Sequence, residues 1–309
     1  MSELRIVSLI PSATEIVAYL GFADALVGRS HECDFPVQVR HLPVCTSPRF
    51  DPSGRSREIH DRVTTLLQQG LSVYDVDLEQ LRRLQPTHII TQAQCEVCAV
   101  SLAEVQAAVA QVLEPAPLII SLEPRLLADL WSDLVTVATA LDPTEGPDRA
   151  LKAVKTLQTR LQNCIQQVPQ RLPQPTVACL EWTDPLMGAG NWVPELVALA
   201  GGHPLFGQVG RHSAWLSWQE LQESNPDILV VMPCGYDLEQ GRQAVEQLEQ
   251  QPEWSTLQAV LACRIYIVDG NQYFNRPGPR LVDSLEILAE ILHTDDCQFG
   301  YALKAWKLY

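Results

Sequence analysis

The sequence predicts an α/β fold of two lobes, and three observations lead to this prediction. Short apolar runs recur along the 309-residue chain, each followed by a loop of turn residues and then by apolar residues at helical spacing. Runs of this length and setting are typical of buried strands in a parallel sheet. The order strand, loop, helix occurs in both halves of the chain, and a helical stretch without a Gly/Ser-rich linker separates them. The predicted strands include residues 6–10, 25–27, 88–91, 177–180 and 228–232.

Each half repeats the same local order, which predicts two Rossmann-like lobes. Residues 5–21 (RIVSLIPSATEIVAYLG) and 176–202 both read as strand, loop and helix, and both end in a glycine of the kind that stops helices. A helix end, a proline and an apolar strand recur at 81–92 and 221–234. We therefore predict an N-terminal α/β lobe over residues 1–122, a helical linker over 123–172 and a C-terminal α/β lobe over 173–309, with a ligand cleft between the lobes.

The predicted linker is helical because its apolar residues recur every three or four positions from residue 123 to residue 168. A Pro- and Gly-containing break at 142–147 divides it into two helices. The second helix is long enough to join the lobes. The proline-rich segment 169–175 then ends it, since proline cannot continue a helix.

The charge balance excludes several classes of partner. The chain has 37 acidic and 22 basic residues, a formal net charge of -15. Nucleic acids and anionic membranes both need a basic protein face, so the sequence predicts no nucleic-acid partner. No stretch approaches the roughly 18 uninterrupted apolar residues of a membrane span, which argues against membrane insertion.

The first predicted strand follows the initial MSEL directly, which leaves no room for a secretion signal. The sequence therefore predicts a cytoplasmic protein, or a periplasmic one if a leader has been removed. Nine cysteines in spacings unlike those of a disulfide scaffold also fit a reducing compartment.

The loops that follow the predicted strands are the expected ligand site, because ligands of parallel sheets bind outside the carboxyl ends of the strands. The richest of them is residues 269–280, DGNQYFNRPGPR, which combines two aromatic residues, two arginines and two prolines. Prolines and glycines make such a loop rigid, and rigid polar and aromatic loops build small-molecule sites. An ordinary surface turn with solvated arginines is the alternative.

Thiols and an imidazole in these loops predict a possible metal site. Thiolate and imidazole are the ligands that zinc and iron-sulfur clusters prefer. As an alternative these cysteines are buried small hydrophobes, or the CEVC pair forms a redox site at the start of a helix predicted over 99–113. The candidate metal ligands are His31, Cys33, Cys95, Cys98 and Cys234. We assign Cys164 to a helix, and Cys179 and Cys263 to strands, as packing residues.

A second cluster is aromatic and lies in the C-terminal half. Trp182, Trp192, Tyr273 and Phe274 are placed to stack on a large flat ligand. For Trp215 and Trp218 we favour packing against the core of the second lobe.

The chain contains no catalytic motif. It has no G-x-S-x-G, no Walker loop and no G-x-G-x-x-G after a strand, so we predict that it is not an enzyme. Ser12 and Thr14 suit the N-cap of a helix better than a nucleophile role.

Several of these motifs together resemble a known family. The runs RIVSLIPSATEIVAYLG, GRSHECDFP, PTHIITQAQCEVC, PDILVVMPCGYD and VDGNQYFNRPGPRLVDSLEILAEIL are similar to the cobalamin-binding branch of the substrate-binding proteins of iron-siderophore and cobalamin ABC importers. The resemblance extends from about residue 5 to residue 293. It implies two α/β lobes joined by one long helix, with the ligand held between them and little hinge motion.

The resemblance also implies which residues contact the ligand. On the N-terminal lobe these would be Pro11, Ser12, Thr14, His31, Glu32, Cys33, Gln92, Cys95 and Cys98. On the C-terminal lobe they would be Glu181, Trp182, Trp192, Cys234, Tyr236, Tyr273, Phe274, Arg276 and Arg280.

We therefore predict non-catalytic binding of a corrinoid such as cobalamin, or of another large metal chelate. The alternative is a protein that holds zinc or an iron-sulfur cluster on its own cysteines, with possible redox activity. An ABC permease is the expected partner only if the protein is exported.

Overall fold

A computed structural model describes residues 3–93 and 102–309, and its chain divides into two compact units. The first unit contains Met1–Gly54, Glu58–Pro124 and Ala128–Thr156. The second contains Arg55–Arg57, Arg125–Leu127 and Leu157–Tyr309. The predicted α/β fold is confirmed, since each unit contains a sheet with parallel central strands, together with helices. The predicted lobe and linker boundaries, and the cleft between the lobes, stay predictions.

The first unit is built on a four-stranded parallel sheet. Its elements are β1 (Ile6–Ser8), α1 (Pro11–Tyr19), β2 (Leu26–Arg29), β3 (Thr46–Pro48), α2 (Ser56–Gln68), β4 (Tyr74–Val76), α3 (Leu78–Leu84), β5 (His88–Gln92), α4 (Leu102–Val112), β6 (Leu118–Leu122) and α5 (Leu127–Leu141). The first residues of α2, Ser56 and Arg57, and the first of α5, Leu127, belong to the second unit. The sheet order is β2-β1-β5-β6, and β3 and β4 form a separate antiparallel pair. Apolar side chains of β1 and β5 pack against α4, which forms the core on that face.

The second unit is built on a mixed sheet whose centre is parallel. Its helix α6 (Gly146–Gln167) begins in the first unit and ends in the second. The remaining elements are β7 (Thr176–Thr183), β8 (Leu186–Gly188), α7 (Val193–Leu199), β9 (His203–Leu205), β10 (Ala214–Trp215), α8 (Trp218–Ser224), β11 (Ile228–Val231), α9 (Leu238–Leu248), α10 (Gln258–Leu261), β12 (Ile265–Val268), α11 (Leu281–Leu292) and β13 (Trp306–Leu308).

In this sheet β7, β11 and β12 run parallel and side by side, and β9 pairs in parallel with the start of β7. The strands β8, β10 and β13 are added antiparallel at the edges. Apolar strands that are buried on both faces occupy the centre, as expected for parallel strands covered by helices.

The predicted break between two linker helices is found between α5 and α6. Asp142 accepts hydrogen bonds from the backbone N–H groups of Thr144 and Glu145, which forms the turn. Gly146 then starts α6 so close to α5 that a Cβ at this position would lie 2.0 Å from the carbonyl oxygen of Ala138. No side chain fits this approach, so glycine is needed at the junction.

Several predicted assignments differ from the structure. Cys263 is exposed and lies after α10 with φ 52°, so its assignment to a strand is wrong. Ser12 and Thr14 do not cap α1, whose N-cap is Ile10 and has no side-chain hydrogen bond. Their assignment as N-caps fails because Pro11 already opens the helix and both side chains are buried inside its first turns.

None of the helices in residues 3–93 and 102–309 combines the length and apolar character needed to cross a membrane.

Candidate functional site

Three segments of the second unit meet where its parallel strands end. The first segment, residues 181–192, begins in the last three residues of β7 and continues beyond it. The second, residues 232–237, follows β11, and the third, residues 269–280, follows β12. We call these three segments together the carboxyl-edge rim. Parallel strands share one carboxyl edge, so neighbouring strands bring these segments together. All the site residues predicted in the C-terminal half lie in this rim.

Hydrogen bonds connect the three rim segments to one another. The Asn275 side chain donates to the carbonyl oxygens of Met232 at 3.1 Å and Gly270 at 2.8 Å. The backbone N–H of Asn271 donates to the Tyr236 carbonyl at 3.0 Å, and that of Cys234 to the Glu181 carbonyl at 3.2 Å. The rim is therefore held by backbone partners rather than by flexible side-chain contacts alone.

Close packing at Gly270 gives the rim its shape. A Cβ on Gly270 would lie 2.3 Å from the carbonyl oxygen of Pro233, so the two segments approach more closely than any other residue type allows. The sequence places glycine there within the DGNQYFNRPGPR loop.

Two half-buried aromatic side chains remain partly open to solvent at this edge. The rings of Trp182 and Tyr236 lie edge to face with centroids 5.4 Å apart. The Tyr273 ring lies beneath the guanidinium of Arg280 at 5.4 Å. Trp182 and Tyr273 keep partial exposure, whereas Tyr236 is buried. Trp182 and Tyr273 thus offer apolar ring surface that a flat ligand can cover.

Trp192 and Phe274, which are predicted to stack on the ligand together with Trp182 and Tyr273, have a different environment. The Trp192 indole N–H donates to the Phe274 carbonyl at 2.7 Å, and both side chains are buried. Phe274 has φ 64°, and its backbone N–H donates to Ser284 Oγ at 3.0 Å. These two residues join the rim to the interior of the second unit, and their predicted role in ligand stacking stays a prediction.

Two arginines supply positive charge at the rim, and Arg280 lies over the Tyr273 ring. Arg276 donates to Asn271 Oδ1 at 2.8 Å, and Arg280 donates to Gln272 Oε1 at 3.1 Å. Both arginines are less than one-tenth exposed. A buried guanidinium gains more from an anionic group than an exposed one, because less water screens it.

Glu181 contributes a half-buried carboxyl group to the same edge. Ser213 Oγ donates to Glu181 Oε2 at 2.6 Å and accepts from the Gly190 N–H at 3.0 Å. Burial raises the pKa of the Glu181 carboxyl, and the Ser213 hydrogen bond partly offsets this shift. The sequence did not identify Ser213, because it lies just before the short edge strand β10, which carries no strong apolar pattern.

In the first unit, the predicted residues Pro11, Ser12 and Thr14 open α1 after β1. Thr14 Oγ1 donates to Ser8 Oγ at 2.8 Å and lies 3.0 Å from Cys33 Sγ. Cys33 is fully buried, and burial raises the pKa of its thiol to about 11. A thiol in this state is protonated near neutral pH, which disfavours metal ligation unless a metal displaces the proton.

His31 and Glu32 lie in the loop after β2 and contact the β3–β4 pair. His31 Nδ1 is 2.8 Å from Thr46 Oγ1, and its ring lies 5.2 Å from that of Tyr74. The Tyr74 hydroxyl donates to Glu32 at 3.3 Å. Burial, with a smaller contribution from Arg29, lowers the pKa of His31, so its imidazole is neutral near pH 7 and can serve as a metal ligand.

The remaining predicted ligands are not brought together among the described residues. Gln92 is buried at the end of β5, Cys234 is exposed on the rim, and Cys95 and Cys98 lie outside the described residues. Within residues 3–93 and 102–309, no group of three or more His, Cys, Asp or Glu side chains is arranged to hold a metal ion. The metal prediction stays a prediction that depends on Cys95 and Cys98.

Comparison with known proteins gives a family match and a shared fold. Residues 6–271 match the family model described as periplasmic binding protein. A search of the curated proteins finds no match to the sequence.

Three solved structures illustrate the shared fold. The periplasmic heme-binding protein RhuT from Roseiflexus sp. RS-1, in apo form, matches with a TM-score of 0.70 at 24% identity, covering 95% of this chain and 99% of that one. A periplasmic heme binding protein from Pseudomonas aeruginosa gives 0.69 at 21%, covering 94% and 93%. The periplasmic vitamin B12 binding protein BtuF of Vibrio cholerae gives 0.66 at 19%, covering 94% and 96%.

Proposed function

Because the chain belongs to the periplasmic binding protein family, we propose that its ligand is a planar metal chelate of the tetrapyrrole class, a corrinoid or a heme. Family membership confirms the prediction of a binding protein rather than an enzyme. The cobalamin branch predicted from the sequence is one of two choices within this class, since structural neighbours include proteins described as binding heme as well as one described as binding vitamin B12.

One feature of the second unit carries the proposal. Trp182 and Tyr273 present half-buried rings at the carboxyl edge of the sheet, and Arg280 lies over the Tyr273 ring. A tetrapyrrole has a flat macrocycle, which aromatic rings can cover, and polar or anionic groups at its periphery, which a guanidinium can bind. Because hydrogen bonds within the protein connect the rim segments, little ordering entropy is lost on binding.

Within the first unit, the chemistry of His31 suits coordination of a metal. The Thr46 hydroxyl fixes the His31 ring through Nδ1, which leaves Nε2 as the nitrogen that could coordinate iron or cobalt. The lowered pKa of His31 keeps the imidazole neutral at neutral pH, and the tautomer that donates from Nδ1 to Thr46 Oγ1 leaves Nε2 unprotonated. This is the role that the chemistry of His31 favours if the ligand carries an open metal position.

The test is a titration of the ligand-free protein with hemin and with cyanocobalamin, followed by absorption and by calorimetry. We expect one of the two to bind with a Kd of about 1 μM or tighter, equivalent to roughly 8 kcal/mol. A non-chelated planar aromatic dye is the control for nonspecific stacking. If neither tetrapyrrole binds above the level of this dye, the proposed function is wrong.

A complex with hemin also tests the role of His31. We expect the His31→Ala variant to lose the Soret and visible bands of histidine-ligated iron, while the Thr46→Ser variant retains them because it keeps the hydroxyl that orients the ring.

We also propose that the protein works with an ABC permease in an extracytoplasmic compartment. The family description, periplasmic binding protein, and a structural neighbour described as an ABC transporter substrate-binding protein support this proposal. The cytoplasmic location predicted from the sequence gains no support from the comparisons. Fractionation of the producing cells, with immunodetection of the chain, decides between the two locations.

A further inference from the structure

A three-residue segment from early in the chain belongs to the second unit. Arg55–Arg57 is part of that unit, and Ser56 is the first residue of α2. The Ser56 side chain is 1% exposed, and its hydroxyl lies 2.8 Å from Thr183 Oγ1 and 3.3 Å from the Tyr236 hydroxyl. Three buried or nearly buried hydroxyls therefore meet at one point.

Two of these hydroxyls belong to two of the three rim segments. Thr183 ends β7, and Tyr236 lies in the segment after β11. The Tyr236 ring contacts the Trp182 ring, whose indole N–H donates to the Asp184 carbonyl at 3.1 Å. Ser56 thus touches the residue that supports the half-buried tryptophan of the rim.

The buried hydroxyl contacts of Ser56 and the exposed ion pair of the adjacent Arg57 contribute different free energies to the local structure. Arg57 forms an ion pair with Asp184 at 2.5 Å, but both side chains are about half exposed. Exposed pairs of this kind contribute little, because water and salt screen them. A buried hydroxyl that loses its partner costs more, because no water replaces the hydrogen bond. The hydroxyl contacts of Ser56, rather than the ion pair, are expected to fix the local geometry.

We propose that Ser56 is a positioning residue of the ligand site, which holds the Tyr236 hydroxyl and through the Tyr236 ring sets the orientation of Trp182. The consequence for affinity rests on the proposed function, whereas the consequence for Trp182 does not. Sequence reasoning gave no sign of this role, because Ser56 lies about 127 positions from Thr183 in the chain and in no predicted site loop.

The first test uses the ligand-free protein labelled with 5-fluorotryptophan. Fluorine NMR gives one resonance for each tryptophan, and the Trp182→Phe variant identifies that of Trp182. We expect Ser56→Ala to shift or broaden the Trp182 resonance and to leave that of Trp254 unchanged, since Trp254 stacks on Trp218 in the core of the same unit. A Trp182 resonance that stays in place would overturn the inference.

The second test measures affinity for whichever tetrapyrrole the wild-type protein binds. We expect Ser56→Ala to weaken binding about tenfold, which corresponds to roughly 1.4 kcal/mol. Ser56→Thr keeps the hydroxyl and should restore most of the affinity. Ser53→Ala is the matched control, because the Ser53 hydroxyl is exposed and donates to Asp51. Circular dichroism of each variant verifies that it is folded.

A double variant separates positioning from general loss of structure. If Ser56 acts through the Tyr236 hydroxyl, adding Ser56→Ala to Tyr236→Phe should cause little further loss of affinity. Full additivity of the two losses would contradict the inference. If the wild type binds neither hemin nor cyanocobalamin, the proposed function fails and the fluorine spectrum alone decides the role of Ser56. Intact binding with an unchanged spectrum overturns the role of Ser56 and leaves the proposed function standing.

Discussion

At the scale of single residues, His293 shows how a buried side chain makes the second unit sensitive to acid. Its Nε2 lies 2.9 Å from the Ala200 carbonyl oxygen, which can only accept, so Nε2 carries the proton. Its Nδ1 is buried and has no hydrogen-bond partner in the described part of the chain. Burial lowers the pKa of His293, Arg171 and Arg264 lower it further, and the Ala200 carbonyl and Asp296 oppose them.

This environment predicts a loss of stability at low pH. Since the folded-state pKa lies below the unfolded value of about 6.5, the unfolded chain binds more protons between these two values. The free energy of unfolding should therefore fall as the pH drops below about 6.5. We expect the His293→Gln variant to show a smaller fall between pH 7 and pH 5 than the wild type, as measured by urea denaturation.

The exposed His41 provides the control for this prediction. A His41→Gln variant should keep the wild-type pH dependence. Part of the dependence should remain in His293→Gln, because burial also lowers the pKa values of His31 and His88. Identical pH profiles for the wild type and His293→Gln would contradict the prediction.

The site residues also show what a sequence pattern can and cannot predict. Loops after apolar strands were recognisable, because turn residues and strand length are local features, and the three rim segments do converge. The exposure of each aromatic residue was not recognisable. Trp182 lies near the end of β7 and Trp192 at the N-cap of α7, within one rim segment. The Phe274 carbonyl holds Trp192 in the interior, and this partner lies 82 positions away.

Trp215 and Trp218 also differ from each other in exposure. Trp218 stacks on Trp254 against the core, as predicted. Trp215 is 55% exposed on the edge strand β10, so its prediction as a core residue is wrong. Both residues of this two-residue edge strand are exposed.

At the scale of elements, the central strands of both sheets were predictable because they are apolar and buried on both faces. The elements that sequence reasoning missed are short or at an edge, such as β8, β9, β10 and β13. These strands are two or three residues long and partly exposed, so they carry no continuous apolar run. Pairing with a neighbour, rather than their own composition, makes them strands.

The junction of α5 and α6 gives a prediction at this scale. Gly146→Ala would place a methyl group against the backbone carbonyl of Ala138, which cannot move without breaking its bond to the Asp142 N–H. We expect the variant to lose about 3 kcal/mol of unfolding free energy, the upper part of the range for overpacked sites. Urea denaturation measures the loss.

Gly70→Ala is the matched control for Gly146→Ala. Gly70 has φ 70° and no atom within 4 Å of an added Cβ, so its substitution should cost only about 1 kcal/mol of backbone strain. Equal losses at the two glycines would mean that the α5–α6 junction relaxes freely.

At the scale of the whole molecule, the net charge of -15 bears on the choice between the two candidate ligands. Hemin carries anionic propionates, whereas cyanocobalamin is neutral overall. The protein repels an approaching anion over roughly 30 Å at 10 mM salt but only about 8 Å at 150 mM. The charge of the chain should therefore slow the approach of hemin at low salt.

This reasoning predicts different salt dependences of association. We expect the association rate of hemin to rise several-fold between 10 and 150 mM salt, and that of cyanocobalamin to change less than twofold. Stopped-flow absorption measures both rates. A fall in the hemin rate with salt would mean that attraction by Arg276 and Arg280 outweighs the repulsion by the whole chain.

The fold and the family could be predicted from the sequence, because the repeated order of strand, loop and helix extends over long stretches of chain. The choice of ligand was not, since it depends on which side chains remain open at the ends of those strands. The rim contacts of Glu181 with Ser213 and of Asn275 with Met232 join segments whose proximity no local pattern encodes.

The position of Cys234 makes the rim a convenient place for a reporter group. Burial raises the thiol pKa values of Cys33 to about 11 and of Cys45, Cys164 and Cys179 to about 12, so these thiols react slowly with alkylating dyes at neutral pH. Cys234 is exposed beside Tyr236, and Cys263 is the other exposed cysteine of the described residues. In a chain with Cys95, Cys98 and Cys263 replaced by serine, a fluorophore on Cys234 would lie at the proposed ligand site. If the ligand binds there, the emission of this fluorophore would make the protein an optical sensor of occupancy.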